Sequence, residues 1–239
     1  MKILALESSA LAASAALWED GKCVGLYLQN CSLTHSETLL PMAENLLKGC
    51  NVPLNEVDLI AVARGPGSFT GVRIGVAAAK GLSWGADKPC CGVSTLEAMA
   101  WQGAHLQGKL ICCCMDARRG QVYNALFRAE GAGLKRLSED RAIALSELLP
   151  ELREAPVLLG DGAALTAKAL TEAGQPFTLA PEPIGIQSAW GVALAAAHAP
   201  REAWGEPEPV YLRLSQAERE RLAKLNKDNS LLLEQDKGE

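Results

Sequence analysis

The sequence is poor in several things, and each scarcity removes a class of function. Aromatic residues make up only 5% of the 239, too few for a surface built to stack bases. No basic run is present. Arg118 and Arg119 are adjacent, and Arg213, Arg219, Arg221 and Lys224 are interrupted by Glu218 and Glu220. With a formal net charge of −5, the chain lacks the basic stripe that a protein gripping RNA unaided uses to neutralise phosphates. If it serves an RNA pathway, another subunit is expected to hold the RNA. No uninterrupted apolar run approaches the roughly 18–20 residues of a membrane span. The start, KILALESSA, enters a strand-like run with no basic and apolar leader, so the expectation is no signal peptide and a cytoplasmic location.

Catalytic signatures are scarce too. The eight cysteines include no pair at the two-residue spacing of a zinc knuckle or redox motif. Cys112, Cys113 and Cys114 lie inside the apolar run LICCCM, where strand side chains alternate between faces, and they read as buried, reduced thiols. There is no G-x-S-x-G elbow and no Ser-His-Asp set that motifs would assemble. His35 stands near Gly-rich and Ser-rich loops, but Leu39 occupies the position four residues on where a second helical metal ligand would be; a surface or capping role is expected. His105 and His198 read as isolated in other helices.

What is present is ordinary globular material, 49% hydrophobic and 21% charged, enough to bury a sizeable core. Residues 2–7, 12–18 and 22–28 read as strands, with Glu19-Asp20-Gly21 as a hairpin turn. Thr34 with Glu37 matches a capping box, and Leu39, Met42, Ala43, Leu46 and Leu47 repeat at helical spacing despite Pro41. Strands follow at 57–63 and 90–93, each leading into a helix, the second running from Ser94-Thr95 to about His105. The first unit reads β-β-β-α-β-α-β-α.

A similar order then restarts. Leu110–Met115 is a strand ending at Asp116, followed by a polar turn and a strand over 122–127. Aligning Glu7 with Asp116 brings Trp18 onto Phe127 and the turn EDG near AEG. This weak repeat suggests two related halves facing each other across a cleft. A helix near 145–152, a strand over 157–160, GDGAA opening another helix, an apolar helix over 188–198 and a Pro-rich linker or turn over 200–209 complete the reading; a charged tail follows Ser215.

Two stretches carry chemistry. The loop GPGSFTGVRIG, between a strand and a helix, lets backbone approach a partner closely, and the helix amino terminus behind it suits an anion; yet it lacks the Lys-Ser/Thr ending of a phosphate-gripping loop. Gly71, Gly75 and Ala79, four apart, form a smooth stripe that packs either on the chain's own sheet or on a partner helix. Glu7, Ser8 and Ser9 sit at a strand end, the usual place for ligands in an α/β sheet. Glu7 there would hold a nucleotide-bound metal with Asp116 opposite, or both carboxylates would cap neighbouring turns.

LALESSA, THSETLLP, ARGPGSFTGVRIG, MDARRGQVY and PVYLR, in this order, resemble the TsaB (YeaZ) family over roughly residues 1–215, with the loop at 63–75 and HSETLLP the most specific segments. The resemblance implies an α/β fold of two ribonuclease-H-like domains of the actin, Hsp70 and sugar-kinase (ASKHA) type. They would be residues 1–106, carrying the partner-binding helices, and 107–215, with 216–239 as a charged tail. It also implies the partners: the catalytic homologue TsaD as a heterodimer, the ATPase TsaE, and tRNA reached indirectly through the complex. The chain would then be a non-catalytic subunit that activates TsaD in synthesis of tRNA N6-threonylcarbamoyladenosine (t6A). ATP and a metal would be used by the complex through those partners, and no cofactor is assigned to this chain.

In the family the helices after THSETLLP and after the glycine loop pair with the partner. Here that implies a surface over about 36–48 and 70–84, with His35, Leu39, Met42, Leu46, Gly71, Arg73, Gly75 and Ala79 as its residues. The catalytic relative carries H-x-x-x-H, of which this chain keeps only His35. TsaB commonly has Asp where this sequence has Glu7, one methylene longer. The rival readings are an ASKHA-fold enzyme in its own right, a carbamoyl or acyl transferase or a small-molecule kinase using Glu7 and Asp116, and a homodimeric binding module.

Overall fold

The computed structural model describes residues 1–131 and 133–213. The charged tail, with Arg219, Arg221 and Lys224, lies outside the described residues.

The first half runs β1 (Lys2–Glu7), β2 (Ala13–Glu19), β3 (Lys22–Gln29), α1 (His35–Gly49), β4 (Leu59–Ala63), α2 (Phe69–Ala86), β5 (Cys90–Val93) and α3 (Thr95–Gln102), the element order read from the sequence. Its sheet has the order β3-β2-β1-β4-β5, with β1 antiparallel to β2 and parallel to β4. The turn between β2 and β3 is made by Asp20 and Gly21, both at positive φ, the backbone that a tight hairpin with right-handed twist requires. β1 is apolar without interruption because both faces are covered: Leu4 and Leu6 meet α1 and α2, while Ile3 and Ala5 meet a helix from the end of the chain.

The second half repeats the plan: β6 (Leu110–Asp116), β7 (Gln121–Glu130), β8 (Gly133–Arg136), β9 (Arg141–Ala144), α4 (Leu145–Leu148), β10 (Val157–Leu159), α5 (Ala163–Glu172), β11 (Thr178–Leu179), α6 (Glu182–Gly185) and α7 (Ala189–His198). Its order, β8-β7-β6-β10-β11 with β9 added on β7, matches the first sheet strand for strand. Duplication of this order is the ribonuclease-H-like, ASKHA arrangement. α3 and α7 lie between the sheets. α3 gives Ala98 and Trp101 to the core of the first sheet and Leu96 and Met99 to that of the second, while α7 packs its alanines on the first. They cross so closely that a side chain at Gly191 would run into the carbonyl of Ala98.

The repeat is offset. Trp18 pairs with Ile3, but Phe127 pairs with Ile111, one residue short of the equivalent position. Since strand side chains alternate, Glu7 follows Ile3 and Ala5 on the face toward α7, whereas Asp116 follows Cys112 and Cys114 on the opposite face of its sheet. Cys112 and Cys114 share one core and Cys113 the other, all three buried and free. Four details differ from the sequence reading. The capping box expected at Thr34 and Glu37 is not formed: Thr34 precedes α1, but its side chain makes no hydrogen bond to the first turn. The helix expected over 145–152 is one α turn and one 3-10 turn, because Pro150 breaks it. α3 stops at Gln102, so His105 sits in the following turn. The edge pieces β8, β9 and β11 were not foreseen. Among the described residues no helix is long and apolar enough to cross a membrane.

Candidate functional site

The carboxyl ends of β1 and β6 open onto a cleft of about 560 Å³ between the halves, whose lining includes Ser9, Ser68, Asp116, Arg118, Asp161 and Tyr211. Glu7 lies behind it, 1% exposed. One carboxylate oxygen accepts from the Ser9 amide at 2.5 Å, and the other has no partner among the described residues. Burial, which disfavours the charged form, pushes its pKa up to about 7, against the hydrogen bonds from Ser9. Asp116 is half-exposed; it accepts from the Arg118 amide at 2.7 Å and meets the Arg118 guanidinium at 3.6 Å, so here it caps its own turn.

Asp161 is the acid that the sequence reading passed over. It stands in Gly160-Asp161-Gly162, between β10 and α5, where the repeat puts the counterpart of the loop after β4. Gly160, at positive φ, lies so close to the carbonyl of Cys114 that no side chain would fit. Burial raises the Asp161 pKa, opposed by the Gln187 amide that donates to it at 2.8 Å. Acidic residue plus two glycines between strand and helix was the available signal. Among the described residues no three acidic, His or Cys side chains are placed to hold a metal ion.

The glycines of GPGSFTGVRIG serve the chain itself. A Cβ at Gly67 would meet the carbonyl of Ser9, one at Gly71 the carbonyl of Ser8, and one at Gly75 the Ser8 hydroxyl at 2.5 Å. The Ser8 hydroxyl donates to Gly71 O at 2.9 Å, the Ser68 amide donates to Ser9 O at 2.6 Å, and the Ser68 side chain caps α2. Ser8 and Ser9 thus seat the amino terminus of α2 on the end of β1. His35 ties the start of α1 to the same turn, with Nε2 at 2.7 Å from Ala10 O.

Most of the expected partner-binding residues face inward. Leu39, Met42 and Leu46 are buried against Leu4, Leu6 and Leu17, and Ala79 belongs to the same core. Gly71 and Gly75 are the seats just described. The apolar stripe of α1 and the small-residue stripe of α2 cover the first sheet, and one stripe cannot also face a partner. Outward on α2 lie Arg73, Ala77, Gly81, Trp84 and Gly85, with Trp84 69% exposed and open space above Gly81 and Gly85. Ala77, Gly81 and Gly85 repeat the four-residue spacing of the inner stripe, six residues on. Leu40 is exposed on α1. Between α1 and the end of α2 runs an apolar groove of about 900 Å³, lined among others by Leu40, Leu47, Val52, Leu54 and Leu82.

A family model described as TsaD, tRNA N6-adenosine threonylcarbamoyltransferase, matches residues 24–219. The chain is 38% identical over 154 residues to the TsaB protein of Bacillus subtilis, covering 64% of this chain and 67% of that one. It is 39% identical over 153 residues to that of Escherichia coli, covering 63% and 65%. These aligned regions span about two thirds of those relatives. The solved structure of YeaZ from Pseudomonas aeruginosa is 28% identical and superposes with a TM-score of 0.74, covering 88% of this chain and 99% of that one.

Proposed function

Because the chain belongs to the TsaB branch of the TsaD family, we propose that it is a required, non-catalytic subunit in synthesis of threonylcarbamoyladenosine in tRNA. In this reading it pairs with TsaD and activates it, together with TsaE, in the cytoplasm. The supporting observation is the outer face of α2. A tryptophan stands exposed beside a smooth line of small residues, and an apolar groove runs along the other flank of the helix at Leu82; monomeric surfaces rarely keep such apolar area uncovered. A helix partner can approach Gly81 and Gly85 closely, and Trp84 supplies the large side chain typical of an interface centre. The tRNA is held through the partners, and ATP and metal chemistry belong to them.

Leu39 supports the non-catalytic part. It takes the place of the second histidine of the catalytic pattern and is 1% exposed, turned into the core. A metal-activated water at this helix would need a ligand where a buried leucine stands.

The test is reconstitution of tRNA threonylcarbamoylation from purified components, with this chain alone, omitted, or combined with TsaD and TsaE from the same organism. Activity only in the combination is expected; turnover by this chain alone overturns the reading. A homodimer through the same face is the competing use of Trp84, separated by measuring the mass of the free protein in solution.

A further inference from the structure

The Pro-rich stretch expected as a linker or turn is bound to the first half at several points. Trp204 bridges Cys91, the Gly205 amide donates to Cys90 O at 2.8 Å, and Pro207 lies on Gly92. The Val210 amide donates to Arg64 O at 2.7 Å, and the Val210 carbonyl fills the space where a Gly65 side chain would stand. The Tyr211 ring packs on Phe69, centroids 4.4 Å apart, and its hydroxyl accepts from Arg73 Nε at 2.8 Å. Arg213 donates to the carbonyl of Ala117. Four consecutive residues therefore run from the loop after β4 in the first half to the loop after β6 in the second, across the mouth of the cleft that they line.

Arg73 joins this segment to the outer face of α2. Its guanidinium lies 3.8 Å over the Phe69 ring, and the side chain is exposed on α2 one turn before Ala77. Nε is committed to Tyr211, while the two Nη groups make no hydrogen bond among the described residues.

We propose that Val210–Arg213 is a clasp joining the two halves at the cleft mouth, and that a protein docking on α2 tightens it by accepting hydrogen bonds from the Nη groups of Arg73. The coupling rests on the pairing reading above. A partner that fixes the guanidinium removes freedom that Arg73 otherwise loses in holding Tyr211, so docking and clasping favour each other. By linkage the effect is reciprocal: loosening the clasp weakens docking by the same factor.

The experiment is amide hydrogen exchange at Val210 in the full chain, wild type and Tyr211→Phe, alone and with purified TsaD from the same organism. Tyr211→Phe keeps the ring on Phe69 and deletes only the hydroxyl. In the free protein it is expected to speed exchange at Val210 by about 10-fold, the scale of one hydrogen bond to a charged group. TsaD is expected to slow Val210 exchange in the wild type by roughly 5-fold or more, and to bind Tyr211→Phe correspondingly more weakly. Unchanged Val210 exchange in free Tyr211→Phe overturns the clasp. Binding that leaves Val210 protection unaltered overturns the coupling. No binding to wild type sinks the pairing reading and the coupling with it, while the free-protein comparison still decides the clasp.

Discussion

Glu7 holds an acid at the carboxyl end of β1, with one oxygen bonded and the other without a partner among the described residues. Folding raises its pKa from an ordinary 4.5 to about 7, so the native state binds this proton more tightly than the unfolded chain does. The stabilisation from the neutral carboxyl is complete below about pH 4.5 and is lost as pH rises through 7. Glu7→Gln, which cannot ionise, should therefore equal or trail wild type at pH 5 and exceed it at pH 8 by about 2 kcal/mol. Denaturant curves of both proteins at the two pH values check this; parallel pH dependences would mean that Glu7 is charged and compensated. The same variant should leave tRNA modification by the reconstituted set nearly unchanged, since Glu7 lies behind the cleft. Ser8 sets a second expectation. A methyl at Gly71 has the Ser8 carbonyl in its path, backbone that cannot swing aside, so Gly71→Ala should cost about 2 kcal/mol or more, read as a lowered denaturation midpoint.

At the scale of elements, α2 presents two small-residue lines with opposite duties. Gly71, Gly75 and Ala79 are spent on the sheet; Ala77, Gly81 and Gly85 face water. Trp84→Ala and Gly81→Arg should each weaken binding to TsaD by at least about 10-fold, on the scale of an interface centre. The free protein's thermal midpoint should stay put, because neither residue touches the core. Titration calorimetry paired with a melting curve makes the check, and wild-type affinity in both variants would move the interface elsewhere. The strands β1, β2, β4 and β6, the amphipathic run of α1 and the start of α3 at Ser94-Thr95 were legible in the sequence because period and helix-start residues are local signals. β8, β9 and β11 were not: the short β5 and β10 are continuous apolar runs, whereas β8 and β9 carry Lys135, Arg136 and Arg141 and β11 is two exposed residues. The duty of the α2 glycines was also illegible. A four-residue spacing specifies a smooth line and says nothing of which way it faces.

The whole molecule is held by a layer shared between the sheets. Gly191 lets α7 sit against the Ala98 carbonyl of α3, and the Ser14 hydroxyl of β2 accepts from the Ala189 amide at 2.7 Å. On the second side, Arg136 reaches Glu97 of α3 at 2.8 Å and Asp140 at 2.7 Å. Gly191→Val should therefore destabilise by about 3 kcal/mol and lower the unfolding of both halves together. Near- and far-ultraviolet circular dichroism on one melt would show it, and separated transitions would mean that the halves fold independently.

The sequence by itself determined the succession of elements in the first half and its partial restart at Leu110, the apolar stripes and the absence of a second histidine at helical spacing from His35, because each is written in neighbouring residues or in a spacing that backbone geometry converts directly into a face. Tertiary structure alone decided which of those faces remain outside, that Asp161 joins the cleft, and that the segment through Tyr211 closes over it. Those depend on residues far apart in the chain, such as Arg73 with Tyr211 and Ser8 with Gly71, whose meeting follows from how two sheets and the helices between them pack rather than from any local pattern.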